Sequence, residues 1–143
     1  MPAPATSTPE QTVNELLRAL DALDIDAIES MFADNPQGVA ELSGGWRRGR
    51  DGLREYFDML KGSGIADVQS KISDIHTEDW GDTALVTAVL DQSYSMGGEQ
   101  TSLHAPTSIV LRRDGDAWRI ALVHSVPLPE QEQEQEQEQR EGY

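Results

Sequence analysis

From Ala66 onward the apolar residues of this chain recur with period 2, in four runs at 66–79, 83–96, 99–112 and 117–125. The runs are parted by Trp80-Gly81-Asp82, Gly97-Gly98 and Asp114-Gly115, which are hairpin-turn sequences. Strands joined by such short turns pair antiparallel, so half of the molecule is expected to be a meander.

Two of the turns are short enough to set register. With Gly97-Gly98 as a two-residue loop, Met96 faces Glu99, Tyr94 faces Thr101, Leu90 faces Ala105 and Val86 faces Ile109. With Asp114-Gly115 as another, Leu111 faces Trp118, Ile109 faces Ile120, Thr107 faces Leu122 and Ala105 faces His124. Both registers give one apolar face: Ala84, Val86, Ala88, Leu90, Leu103, Ala105, Ile109, Leu111, Trp118, Ile120 and Leu122. A one-residue slip would turn a whole strand over. The polar members of this face are Gln92, Tyr94, Thr107 and His124. The third turn allows two registers for the first strand, so the sides taken by Asp74 and His76 stay open.

The part before Ala66 reads as helical. Thr8-Pro9-Glu10-Gln11 predicts a capped start, with Val13, Leu16, Leu17 and Leu20 as the buried stripe. Asp24 is expected to cap a second helix with Ile25, Ile28, Met31 and Phe32 inward, stopped at Asn35-Pro36. The Gly-rich stretch 36–49 suggests a small hairpin carrying Trp46. A third helix then starts near Asp51, with Leu53, Tyr56, Phe57 and Leu60 as its stripe and Gly62 and Gly64 at its end. Helices on one face of an antiparallel sheet make an α+β fold.

Residues 1–7 read as a disordered leader and 130–143 as a disordered Glu/Gln-rich tail, leaving 8–129 as one domain. The chain of 143 residues has no cysteine, so thiolate chemistry and cysteine-bound metal are excluded. The formal net charge is −15. A field of that sign repels phosphate backbones and anionic lipid surfaces, so neither nucleic acid nor membrane is expected as a partner. No apolar run is long enough to span a bilayer and no secretory signal opens the chain, so a cytoplasmic location is expected.

The Leu23-Asp24-Ile25-Asp26-Ala27-Ile28 step, the Met31-Phe32-Ala33-Asp34 end, and Gly49-Arg50-Asp51-Gly52-Leu53 come in a telling order. They precede Gly81-Asp82-Thr83-Ala84-Leu85-Val86, Asp114-Gly115-Asp116-Ala117-Trp118-Arg119-Ile120 and a His124-Ser125 ending. In order and spacing, from about Gln11 to Pro129, the chain resembles the SnoaL-like branch of the nuclear transport factor 2-like superfamily. The resemblance implies a cone-shaped α+β barrel, three N-terminal helices closing a curved sheet over a pocket. Its members include polyketide cyclases, ketosteroid isomerases, scytalone dehydratases and limonene epoxide hydrolases. Others are non-catalytic transport factors and kinase association domains. The tyrosine-plus-carboxyl pair of the isomerases is half present, as Tyr94.

The expected function is that of a cofactor-independent pocket enzyme acting on a small apolar oxygenated molecule, a polyketide- or steroid-like ring. His124 is the candidate acid–base and Tyr94 the candidate hydrogen-bond donor. Trp46, Leu90, Thr107, Trp118 and Leu122 are the expected ligand contacts. No metal site is expected from three scattered histidines. The alternative is a non-catalytic ligand-binding or dimeric assembly domain. The second face of the sheet, with Leu85, Val89, Val110, Ala121 and Val123, is apolar enough to predict a homodimer. On that face Asp91 should lie opposite His104, as an interface hydrogen bond. Arg47, Arg48, Arg50 and Arg54 form a basic cluster expected to serve internal salt bridges, with steering of an anionic ligand as the other reading.

Overall fold

The computed structural model describes residues 7–128, so the tail and all but Ser7 of the leader lie outside it. The element order is α1 (Pro9–Ala22), α2 (Ile25–Ser30), β1 (Phe32–Val39), β2 (Arg47–Arg48), α3 (Gly49–Gly62), β3 (Ala66–Asp79), β4 (Thr83–Met96), β5 (Glu99–Asp114) and β6 (Ala117–Ser125). One six-stranded sheet runs β2-β1-β6-β5-β4-β3. Among the described residues no helix is long and apolar enough to cross a membrane.

Helix α1 starts as its sequence predicts. The Gln11 amide donates to Thr8 Oγ1 at 3.2 Å, and the Thr8 amide donates to Gln11 Oε1 at 2.9 Å, satisfying two orphan donors of the first turn. It ends at Leu23, whose left-handed φ of 52° turns the chain so that Asp24 caps α2. Helix α2 is shorter than expected. It stops at Ser30, and the residues expected to extend it become β1, a strand lying parallel to β6. Tertiary contacts decide this: the Ile120 amide donates to Met31 O at 2.8 Å, and Arg119 Nη1 donates to Ser30 O at 2.6 Å. Pro36 is tolerated because β1 bulges there. From Phe32 to Gln37 the chain advances five positions while its partner advances only two, from Ile120 to Leu122, and a residue without an N–H fits where the ladder is interrupted. Arg50 Nη2 holds the bulge by donating to Phe32 O at 2.7 Å. The small hairpin is likewise rearranged, with Gln37 and Gly38 of β1 pairing Arg48 and Arg47 of β2.

The β4–β5 register is as expected throughout, from Met96↔Glu99 to Val86↔Ile109. The β5–β6 register is not. The loop is Gly115-Asp116, with Gly115 at φ 62°, so Asp114 pairs Ala117, Arg113 pairs Trp118 and Leu111 pairs Ile120. This offset of two residues leaves Trp118 and Ile120 on the inner face, because the side-chain period is also two. A bulge at Ala121 then moves the rest by one: Val110 pairs Leu122, Ile109 pairs Val123, Ser108 pairs His124 and Thr107 pairs Ser125. Val123 and Ser125 turn inward, and Leu122 and His124 turn outward. Strand β3 carries two comparable irregularities, near Asp67 and Asp74, both at positive φ. Extra residues of this kind bend a strand and raise its twist. Past Asp74, His76 pairs Thr87 on the outer side, and Asp74 and His76 are both exposed.

The core lies between the sheet and α1 and α2. Val13, Leu16 and Ile28 pack against Phe32, Ala84, Val86, Ile109, Leu111, Trp118 and Ile120. Arg54 ties α3 to α2 through Asp26 at 2.8 Å and Glu29 at 2.7 Å.

Candidate functional site

Beyond Ile120 the two layers part, and a cavity of about 150 Å³ opens between them. Its walls are mostly aliphatic: Leu16, Leu17 and Leu20 of α1, Leu53, Phe57 and Leu60 of α3, and Ile72, Leu90, Leu103, Ile109 and Val123 of the sheet. The polar groups lining it are few. Thr107 and Ser125 share a hydrogen bond of 2.9 Å between their hydroxyls, and Thr107 Oγ1 donates to Ala105 O at 3.0 Å. Gln92 donates to Ser70 Oγ at 2.9 Å.

The other polar group set gathers where the segment after β1 crosses the end of β4. Tyr94 is only 4% exposed, and its hydroxyl donates to Glu41 Oε2 at 3.0 Å. Burial first, then the bond to Glu41, pushes the Tyr94 phenol up to about 12. Tyr56 stands beside the pair on α3. Its phenol is also pushed up to about 12, chiefly by burial and then by Tyr94, with Arg47 acting the other way. Both phenols therefore keep their protons at neutral pH, so each has an O–H to donate. Glu41 is an exposed residue that lines the cavity, so its carboxylate stands at the lip, held by one buried donor. A fixed carboxylate next to protonated phenols is a base beside oxygen-binding donors.

Arg47 completes the lip. Its Nε donates to Ser43 O at 3.0 Å, and its guanidinium lies 5.6 Å from the centre of the Tyr56 ring. Ser43, which closes the connecting segment, accepts from the Ala40 amide at 3.0 Å and is 4% exposed.

Of the residues expected at the site, Tyr94, Leu90 and Thr107 line the cavity. Trp118 is 4% exposed in the sealed core, beneath the Arg113 guanidinium at 5.3 Å. Leu122 and His124 were placed inside by a continuous period of two, and the bulge at Ala121 corrects both to the outer face. There the His124 ring lies 5.9 Å from that of Trp46, which is 45% exposed and off the cavity wall. The sequence marks neither Glu41 nor Ser125 as a site residue; it offers Tyr56 as part of a core stripe and Arg47 as one of four basic residues, with steering of an anionic ligand as their second reading. The stripe that makes Tyr56 look like core was visible. Glu41 has no periodic signal, because its segment is irregular.

On the outer face Asp91 Oδ1 and His104 Nδ1 are 2.7 Å apart, as the register predicts. Among the described residues no group of three or more His, Cys, Asp or Glu side chains could hold a metal ion.

Comparison with known proteins agrees with this architecture. Residues 10–129 match the family described as a SnoaL-like domain. No curated protein matches the chain. Among solved structures, a protein provisionally assigned as a dehydratase of the NTF2-like family from Streptomyces avermitilis superposes with a TM-score of 0.77. It is 18% identical, over 84% of this chain and 94% of that one. The CaMKII hub of S. rosetta superposes with a TM-score of 0.73 at 23% identity, over 90% and 100% of the two chains. A ketosteroid isomerase-like protein from Erwinia carotovora atroseptica gives 0.69 at 18% identity, over 84% and 93%. Identities this low speak for the fold alone.

Proposed function

This chain belongs to the SnoaL-like domain family, and on that premise we propose that it is a cofactor-independent acid–base enzyme for a small apolar oxygenated molecule. The observation carrying this reading is the buried Tyr94 hydroxyl fixed on Glu41 at the lip of an apolar cavity. In this reading the ligand's apolar body fills the space between α1, α3 and the sheet, and its carbonyl oxygen meets the phenol of Tyr56. The Glu41 carboxylate takes a proton from the carbon next to that carbonyl. The C–H electron pair becomes the C=C bond of an enolate, whose oxygen the phenol donor stabilises. The proton then returns to a different carbon, or a hydroxyl one carbon further leaves as water. Isomerisation and dehydration are thus two ends of one pathway, and dehydratase and isomerase names among similarly folded proteins are in keeping with it.

The test is deuterium uptake at the α-carbon of 2-tetralone, an apolar bicyclic ketone, in D2O. The protein should accelerate exchange, and Glu41→Gln should lower that acceleration about 100-fold or more. Exchange no faster than buffer, or unchanged by Glu41→Gln, would overturn the reading.

The same proposal includes a cytoplasmic homodimer formed through the outer sheet face, where Leu85, Val89, Val110 and Leu122 are only partly covered. Resemblance to a hub domain is in keeping with assembly. Sedimentation at micromolar concentration showing only monomer would remove it.

A further inference from the structure

We infer that the ligand of this cavity carries an anionic head, a carboxylate or equivalent oxygen anion, and that Arg47 is the residue that selects it. The inference rests on the cavity being a ligand site, and it adds the charge class of the occupant.

The four arginines of the 47–54 segment divide sharply. Arg54 is engaged by Asp26, Glu29 and Asp58, and Arg50 by Phe32 O and Asp34. Arg48 donates to Gln37 Oε1 and lies 5.5 Å from the Trp46 ring, away from the cavity wall. These three serve the fold. Arg47 alone among them lines the cavity, and among the described residues no other cation does.

Its surroundings fix its direction without using up its charge. Backbone pairing to Gly38 anchors the residue in β2, the Nε bond to Ser43 O orients the side chain, and the Tyr56 ring supports the guanidinium. What remains are the two terminal nitrogens. Their carboxylate neighbour is Glu55, at 4.0 Å and largely exposed, which is too long for a hydrogen bond and screened by water. The other carboxylate of the lip, Glu41, already accepts from Tyr94. A planar fork held at two points and open at its ends is suited to receive a carboxylate in bidentate fashion. Because the fork is ordered before the ligand arrives, little entropy is lost on binding. A partly covered cation at the lip of a mostly aliphatic cavity has no packing purpose that a leucine or methionine would not meet better, and covering a charge is unfavourable unless a partner compensates.

Paired probes of nearly equal shape test this: 2-naphthoate, anionic at neutral pH, and 2-naphthamide, neutral. Titration calorimetry on the full chain at low salt should find the anion bound about 10-fold or more tighter, as expected for one charge-assisted pair. Arg47→Gln should erase that preference, and Arg47→Lys should restore part of it. A preference that survives Arg47→Gln, or its absence in the natural chain while both probes bind, overturns the inference and spares the cavity's role as a ligand site. If neither probe binds, both readings fall together. Val123→Phe, which fills the cavity from the sheet side, should abolish binding of both probes; binding that persists would place them elsewhere and overturn the inference.

Discussion

The two ends of the inner sheet face have the same kind of sequence and opposite fates. At one end Ala84, Leu111 and Ile120 have no exposure, and α1 and α2 lie directly on them. At the other end Leu90, Leu103 and Val123 are just as apolar, yet they line the cavity. The difference comes from how far the helices reach and how the strands bend. Helix α2 is captured at Ser30 and Met31 by β6 and seals one end. Helix α3 lines the other end through Leu53, Phe57 and Leu60 and is tied to the β1 bulge by the Arg50 contact to Phe32 O. Apolar patterning therefore specifies a covered face, while the reach of the covering layer separates core from cavity.

Truncation should expose this contrast most strongly. Ile120→Ala in the sealed end should cost about 3–4 kcal/mol, because a large side chain leaves a void that its packed neighbours cannot fill. Leu90→Ala beside the cavity should cost about 1–2 kcal/mol, since it enlarges existing space and loses fewer contacts. Urea unfolding of the two variants measures the difference directly, and equal losses would mean that the open end is filled in solution.

A smaller effect separates the ends by pH. Tyr56 and Tyr94 belong to the cavity end, and both phenols are pushed up to about 12. A phenol whose folded value exceeds its unfolded value of about 10 contributes stability that is complete below pH 10. That contribution is lost as pH rises from 10 towards 12, because the unfolded chain ionises first. Unfolding midpoints should fall across this window, and Tyr94→Phe should fall less steeply. An equally steep decline in the variant would place the alkaline sensitivity elsewhere.

The smallest effect is expected far from both ends. Thr8→Ala removes the reciprocal cap of α1 and should cost about 1 kcal/mol by the same urea measurement. Deuterium exchange on 2-tetralone should be unaffected by it, whereas the cavity variants should alter that rate.

Much of the fold is legible in the amino-acid sequence. The strand bounds at 83–96 and 117–125 and the β4–β5 pairing follow from local turn chemistry and alternation, which act over a few residues. The α1 cap is equally local. Tyr94, Leu90 and Thr107 were placed inward by the same rules and do line the cavity. His124 and Leu122 were misplaced by the single extra residue at Ala121, which no local signal marks. The bulge lies where β6 runs between the antiparallel β5 and the parallel β1.

What the amino-acid order determined alone was therefore the alternation, the caps, the turns and the identity of an apolar face. Each is an interaction between residues near in sequence, or between strands joined by a tight turn. What only the tertiary structure decided was that residues 32–39 form a strand, that β6 changes sides halfway, and that Glu41, Tyr56 and Arg47 meet Tyr94. Those outcomes depend on contacts between segments far apart in the chain, where sheet curvature and packing outweigh local preference. The lip of the cavity is assembled there, so its chemistry could not be read from any one stretch.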